Sequence, residues 1–261
     1  MADEESKEFA IRFFEALQYK VAAVPTADDL EQQRADLVAT HEDDLFVIEA
    51  KGKAEQQDFL AHQARVRESG SSILTREVKP WNAVSSMIKT AAGQLGATPA
   101  PLHAVRLLWV SCLHRDWEFV LEATRRRLFG QALLSRFAQV ADDLPEMLDP
   151  QECFYYSPAD FVRFHVIDGA ILAGPKGFSL LVNEFGQRAV RLRATRLHRE
   201  MLQHGAVVDP LVLERAGQAM AIRKSIPVRD HRARWQYLLD TYGVLTSAMH
   251  EHVLYALHEP V

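Results

Sequence analysis

Apolar residues recur at helical spacing near the start of the chain and then give way to strand-like runs. In "EESKEFAIRFFEALQ", residues 4–18, Phe9, Ile11, Phe13, Phe14 and Leu17 fall mainly on one side of a helix, and "YKVAAVP" after it predicts a first strand. The polar stretch "TADDLEQQ" reads as a turn. It leads into two β-rich runs, "ADLVAT" and "LFVIEAK", separated by His41-Glu42-Asp43-Asp44, which is a hairpin pattern. Residues 53–80 read as polar and irregular, and Pro80 closes them before "NAVSSMIKTAAGQL", a predicted helix with Asn82 as its N-cap. A second apolar run, "HAVRLLWVSCL" at 103–113, predicts a core strand, and "DWEFVLEATRRRLFGQALLSRF" an amphipathic helical stretch interrupted near Gly130. Helix and strand alternating around a sheet is the pattern of an α/β fold.

Pro145, Pro150 and Pro158 punctuate the next stretch and place a boundary near 150. The division is an α/β region over 1–150 and a C-terminal α+β region over 151–261. In the second part "HVIDGAILAGPKGFSLLVNEFG" predicts two strands joined by a Gly-Pro-Lys-Gly turn. The end, from Asp209, reads as mostly helical through "ARWQYLLDTYGVLTSAMHEHVLYALH".

Composition narrows the class. With 261 residues, 48% of them apolar, the chain has enough hydrophobic material for a real core, and charges of both signs spread along it argue against long disordered tails. A net charge of −5 means that any nucleic-acid surface must be local. The acidic start "MADEESKEF" lacks an apolar signal core, and no run of roughly 18 apolar residues occurs, so a cytoplasmic protein without a membrane partner is expected. Cys112 and Cys153 lie in apolar strand-like segments and read as reduced core thiols.

The hairpin carries charge where apolar side chains belong. If His41 to Asp44 form its loop, Thr40 pairs with Leu45 and Asp36 lies directly across from Glu49, with Cβ atoms about 4.5 to 5.5 Å apart. Side chains alternate along a strand, so Lys51 shares a face with Glu49 while Phe46, Ile48 and Ala50 face the other way. Two adjacent carboxylates repel. A hard divalent cation such as Mg²⁺ would offset that repulsion, since it is commonly held by one or two carboxylates and keeps waters for the rest of its shell. Lys51, a compact cation close by, would orient the attacking water or stabilise charge on a phosphoryl group. This is equipment for phosphodiester hydrolysis.

With these residues in place, "FFEALQYKVAAVP…RADLVATHEDDLFVIEAKGK" resembles the PD-(D/E)xK, restriction-endonuclease-like superfamily, its Mrr-like branch in particular, over about residues 8–113. In that family a helix leads into a strand, the next strand carries an aspartate and the following strand carries Glu-x-Lys. The resemblance implies a mixed central sheet flanked by helices. It implies a DNA endonuclease of restriction or phage-defence type, with Asp36 and Glu49 holding Mg²⁺ (or Mn²⁺ in its place), the Ala50 carbonyl as a further ligand, and Lys51 assisting the nucleophile. It favours DNA over RNA, and a homodimer if both strands are cut. The alternative is a catalytically silent nucleic-acid-binding or assembly module.

The match has departures: Ala35 stands where proline is common, and Gln18-Tyr19 where relatives often carry glycine before the aromatic residue. The segment 54–80 is longer than expected and reads as a substrate-contacting insertion. Glu8, Glu15 and Gln94 are further candidates for the site; a Gln-x-x-x-Tyr motif is not completed after Gln94.

Two basic clusters, Arg125-Arg126-Arg127 and Arg188 to Arg199, could contact phosphates or could be acid-paired helix faces. Trp81, Trp109 and Trp117 are spaced too irregularly for a stacking platform. His250, His252 and His258, taken on a helix, are too far apart to share one ion. Motifs for nucleotide hydrolysis, esterase chemistry and dinucleotide binding are absent from the sequence.

Overall fold

A computed structural model describes residues 2–24, 34–54, 57–69, 71–77, 82–138, 146–224, 226–227, 229–248 and 252–258. The chain begins with α1 (Ala2–Ala16), β1 (Lys20–Ala23), β2 (Leu37–His41) and β3 (Asp44–Gly52), followed by α2 (Gln57–Ser69), β4 (Ser71–Glu77), α3 (Asn82–Ala97) and β5 (Val105–Ser111). It continues through α4 (Trp117–Phe129), β6 (Ala132–Ala138), β7 (Glu146–Phe154), α5 (Asp160–Arg163), β8 (Gly169–Gly174) and β9 (Gly177–Val182). The remainder is α6 (Ala189–Ala194), α7 (Arg196–Gln203), β10 (Val207–Val208), α8 (Pro210–Arg215), β11 (Ala219–Ala221), α9 (His231–Tyr242), β12 (Leu245–Ala248) and β13 (His252–His258).

A seven-stranded mixed sheet, in the order β1-β2-β3-β5-β8-β9-β10, organises the fold. The strands β1, β2 and β3 form an antiparallel meander, β3, β5 and β8 run parallel, and β9 returns antiparallel to β8. Parallel neighbours need covered faces, and here both are covered. On one side α1, α6 and α7 bury Phe14, Leu192 and Leu197 against Phe46, Ile48, Leu107 and Trp109. On the other, Ile88 and Leu95 of α3 and Leu128 of α4 pack with Val47, Leu108 and Val110. The expected alternation of β3 is therefore realised, and the mixed α/β class with it.

The first face is rich in aromatic contacts. Phe9, Phe13 and Phe14 surround the fully buried Trp109, with ring centroids 5.7, 5.3 and 6.5 Å away. Such pairs add about 0.5–1.5 kcal/mol beyond area burial and fix the seat of α1 on β3 and β5. Gln18 takes a positive φ of 66° between α1 and β1, the conformation for which glycine is suited and which the departure at this position leaves to a side chain. Tyr19 then donates to Asp44 Oδ2 at 2.8 Å and accepts from the Leu197 N–H at 3.0 Å, tying the hairpin to α7.

Several local expectations are corrected. Asp44 pairs with His41, so the hairpin closes on two residues, Glu42 at a positive φ of 50° and Asp43, and not on a four-residue loop. The segment expected to be irregular contains α2 and β4. The helical stretch ends at Gly130, where a φ of 60° and a Ser157 carbonyl oxygen that any added Cβ would strike require glycine; beyond it the chain continues as the strand β6. The end of the chain is not mostly helical: α9 stops at Gly243 and gives way to β12 and β13. β6, β7, β11 and β12 form a second sheet, and β4 pairs with β13. β7 runs across position 150, and β8, β9 and β10 extend the main sheet. The turn expected over 26–33, Pro80, Trp81 and His250 lie outside the described residues.

Candidate functional site

The β2–β3 ladder brings Asp36 beside the strand that carries Glu49, but Asp36 itself does not take the expected register. Leu37 pairs with Ile48 and Thr40 with Leu45, and the ladder ends at Leu37; the Asp36 N–H donates to the Ile48 carbonyl at 3.1 Å, one residue short of a pairing with Glu49. Ala35 and Leu37 pack on opposite faces of the sheet, yet the Asp36 carboxylate reaches β3 at Ala50 and its charge acts on Glu49. Val47 belongs to the α3/α4 side of the sheet and Phe46, Ile48 and Ala50 to the α1 side, which puts Glu49 and Lys51 together on the former.

Each carboxylate is held differently. Asp36 Oδ2 accepts from the Ala50 N–H at 2.9 Å, and Oδ1 lies 2.9 Å from Lys7 Nζ. Glu49 is fully buried; its Oε1 lies 2.5 Å from Lys51 Nζ in an ion-pair contact, and its Oε2 has no hydrogen-bond partner among the described residues. Burial pushes the Glu49 carboxyl up to about 7, with Lys51 opposing and the nearby Asp36 charge adding to the rise. The Lys7 ammonium is held above its ordinary value chiefly by its hydrogen bond to Asp36.

The backbone supplies a third feature. In a strand, the N–H and C=O of one residue point to the same edge. The Ala50 N–H faces the β2 side through Asp36, so its carbonyl points to that side too, past the point where β2 begins. The chain there is turned away: the Ala35 N–H is taken by Thr98 Oγ1 at 2.7 Å at the end of α3. Two carboxylates, a buried oxygen without a hydrogen-bond partner among the described residues and the neighbouring Ala50 carbonyl fit a hard divalent cation that keeps several waters. No group of three or more His, Cys, Asp and Glu side chains occurs among the described residues, so an ion here would complete its shell with water and substrate.

The first turn of α1 closes over this end of β3. Asp3 accepts from the Gly52 N–H at 2.8 Å, and Ser111 Oγ donates to the buried Ser6 Oγ at 2.8 Å. The approach is so close that a Cβ on Gly52 would collide with the Ala2 carbonyl oxygen. Lys53, half-buried beside Asp3, has its ammonium pushed down by burial.

The structure thus assembles Asp36, Glu49, Ala50 and Lys51, while Glu8 and Glu15 are exposed on α1. Gln94 contributes its backbone carbonyl to Thr98 Oγ1 at 2.8 Å, and its Oε1 is buried without a partner among the described residues. Sequence reasoning missed Lys7, Asp3 and Thr98. The first two lie on a polar helix face, and only their tertiary partners mark them.

The basic clusters are committed inside the fold. Arg125 and Arg126 hold Glu122, and Arg127 holds the buried Asp160. Arg193 grips Asp209 through two bonds, Arg196 binds His41 and Gln18, and Arg188 donates to the Leu102 carbonyl. A groove of about 560 Å³ lined by Trp117, Leu121, Leu172, Lys176 and Phe178 shares no residue with the acid pair. Cys112 and Cys153 are buried and not joined in a disulfide, as expected. Among the described residues no helix is long and apolar enough to cross a membrane. Comparison with known proteins gives no match, whether to a family model, a curated protein or a solved structure.

Proposed function

We propose that the chain is a Mg²⁺-dependent phosphodiester hydrolase of the PD-(D/E)xK type, a DNA endonuclease. The observation that carries this reading is the convergence of two carboxylates, Asp36 just ahead of β2 and Glu49 on β3, with Lys51 against Glu49 Oε1 and Glu49 Oε2 without a hydrogen-bond partner among the described residues. The order of elements supports it as well: α1 leads into β1, Asp36 precedes β2, β3 carries Glu-x-Lys, and α3 returns the chain to β5 parallel to β3. The choice of DNA and a restriction or phage-defence role rests on the sequence resemblance, as does a homodimer for cutting both strands.

Asp36, Glu49 and the Ala50 carbonyl would hold the ion, with Mn²⁺ as its substitute. When bound, it supplies Lewis-acid polarisation of the phosphoryl oxygen and a more acidic water. Burial keeps the Glu49 charge weakly solvated and therefore avid for a cation. Lys51, with its side chain 18% exposed, is placed to orient the attacking water and to stabilise negative charge on the phosphoryl group.

The silent-module reading has one observation in its favour: in this structure Lys7 and Lys51 already neutralise both acids. Supercoiled plasmid with Mg²⁺ or Mn²⁺ separates the two. Nicking by the wild type, reduced at least about a hundredfold in Glu49→Ala and Lys51→Ala, supports the enzyme. Retention of plasmid without nicking, or nicking that persists in both variants, defeats it.

A further inference from the structure

Lys7 is a cation that the hairpin pattern does not account for. Asp36 Oδ2 is committed to the Ala50 N–H, so Oδ1 is the oxygen left for an incoming ligand, and it is Oδ1 that Lys7 holds. We infer that Lys7 is a resident counter-ion of Asp36 that a divalent cation must displace, an internal competitor that sets how much metal the site requires. The inference rests on the metal-dependent reading above.

Three observations carry it. First, the competitor is tethered. Asp3 on the Gly52 N–H and Ser6 on Ser111 pin the turn from which Lys7 projects, so its ammonium is held at high effective concentration beside Asp36. Second, it has somewhere to go. Its side chain is 32% exposed and Glu4, one turn back on the same helix, already lies 3.7 Å away, so release leaves no buried charge without a partner. Third, Lys51 does not play this part. It touches one oxygen of Glu49 and leaves the other without a hydrogen-bond partner among the described residues, so Lys51 does not occupy both oxygens of its acid. A metal on the acid pair and an ammonium on Oδ1 would be like charges within a few ångströms, and each weakens the other's hold.

Mn²⁺ binding to the full chain, followed by electron paramagnetic resonance, tests this without reference to activity. Lys7→Met is expected to bind Mn²⁺ on the order of tenfold more tightly than wild type, Lys7→Arg to stay near wild type, and Asp36→Asn to bind more weakly. In thermal unfolding, Lys7→Met should melt below wild type without metal and gain more from added Mn²⁺. Lys7→Gln gives the same comparison should the Met variant fail to fold. If wild type binds Mn²⁺ and removal of the Lys7 charge leaves that affinity unchanged or weaker, the inference falls and the nuclease reading stands. If Lys7→Met binds more tightly while plasmid is never nicked, the inference stands and the nuclease reading falls. If no variant binds Mn²⁺, both fall.

Discussion

Two of the fully buried carboxylates among the described residues, Asp168 and Glu49, lead opposite lives. Asp168, just before β8, accepts from the Arg106 N–H at 2.8 Å and the Arg188 N–H at 2.7 Å, one on each oxygen, with the Arg188 guanidinium 3.8 Å away. Burial raises its carboxyl and those backbone donors pull it back. Among the described residues Glu49 receives no backbone donor; one oxygen touches a lysine and the other has no hydrogen-bond partner. The difference teaches how to read a buried acid. Donors on both oxygens make a structural bolt, whereas a bare oxygen marks a place kept for something that arrives later.

Removing the bolt should have the largest effect. Asp168→Ala strands two backbone N–H groups and a partly buried guanidinium, for a loss of about 3–5 kcal/mol in urea unfolding. A loss below about 1 kcal/mol would erase the contrast.

The bare acid should behave the other way. The Glu49 carboxyl sits at about 7 in the folded chain against an ordinary 4.5, so it holds its proton longer when folded. Its contribution to stability is full below pH 4.5 and is lost as pH rises through 7, about 3 kcal/mol at 1.36 kcal/mol per unit. In metal-free unfolding curves, Glu49→Gln should gain that much relative to wild type between pH 4.5 and 7.5 while losing nicking activity. A pH-independent difference would mean that Glu49 is as well satisfied as Asp168.

Arg188→Met sharpens the contrast at small scale. Asp168 keeps a backbone donor on each oxygen without the guanidinium, so the cost should be about 1 kcal/mol or less. A much larger loss would assign the bolt to the ion pair rather than to the backbone.

Much of the site was legible because a hairpin is local. Apolar alternation at Phe46, Ile48 and Ala50 fixes which way Glu49 and Lys51 point, and the shorter loop left the pairs from Leu37 to Thr40 unchanged, because His41 and Asp44 extended the same ladder; Asp36 comes near Glu49 through a break in that register and not by the pairing itself. What was illegible depends on distance. Lys7 looks like any lysine on a polar helix face until Asp36 is brought to it. Strand β6 comes after Gly130 with leucines and an arginine that also suit a helix, and only the Ser157 carbonyl crowding that glycine stops α4. Strands β12 and β13 read as helix because alanine and leucine there favour it, and pairing with β6 and β4 overrides the preference.

The two-residue turn at Glu42-Asp43 has a consequence in time. A hairpin so closed forms within microseconds, whereas β3 must wait for β5, and β5 for β8, each pairing across dozens of residues. Local pairing therefore brings together the segments that carry the two acids, but the burial that makes Glu49 avid for a cation comes from the longer-range strands packed around it.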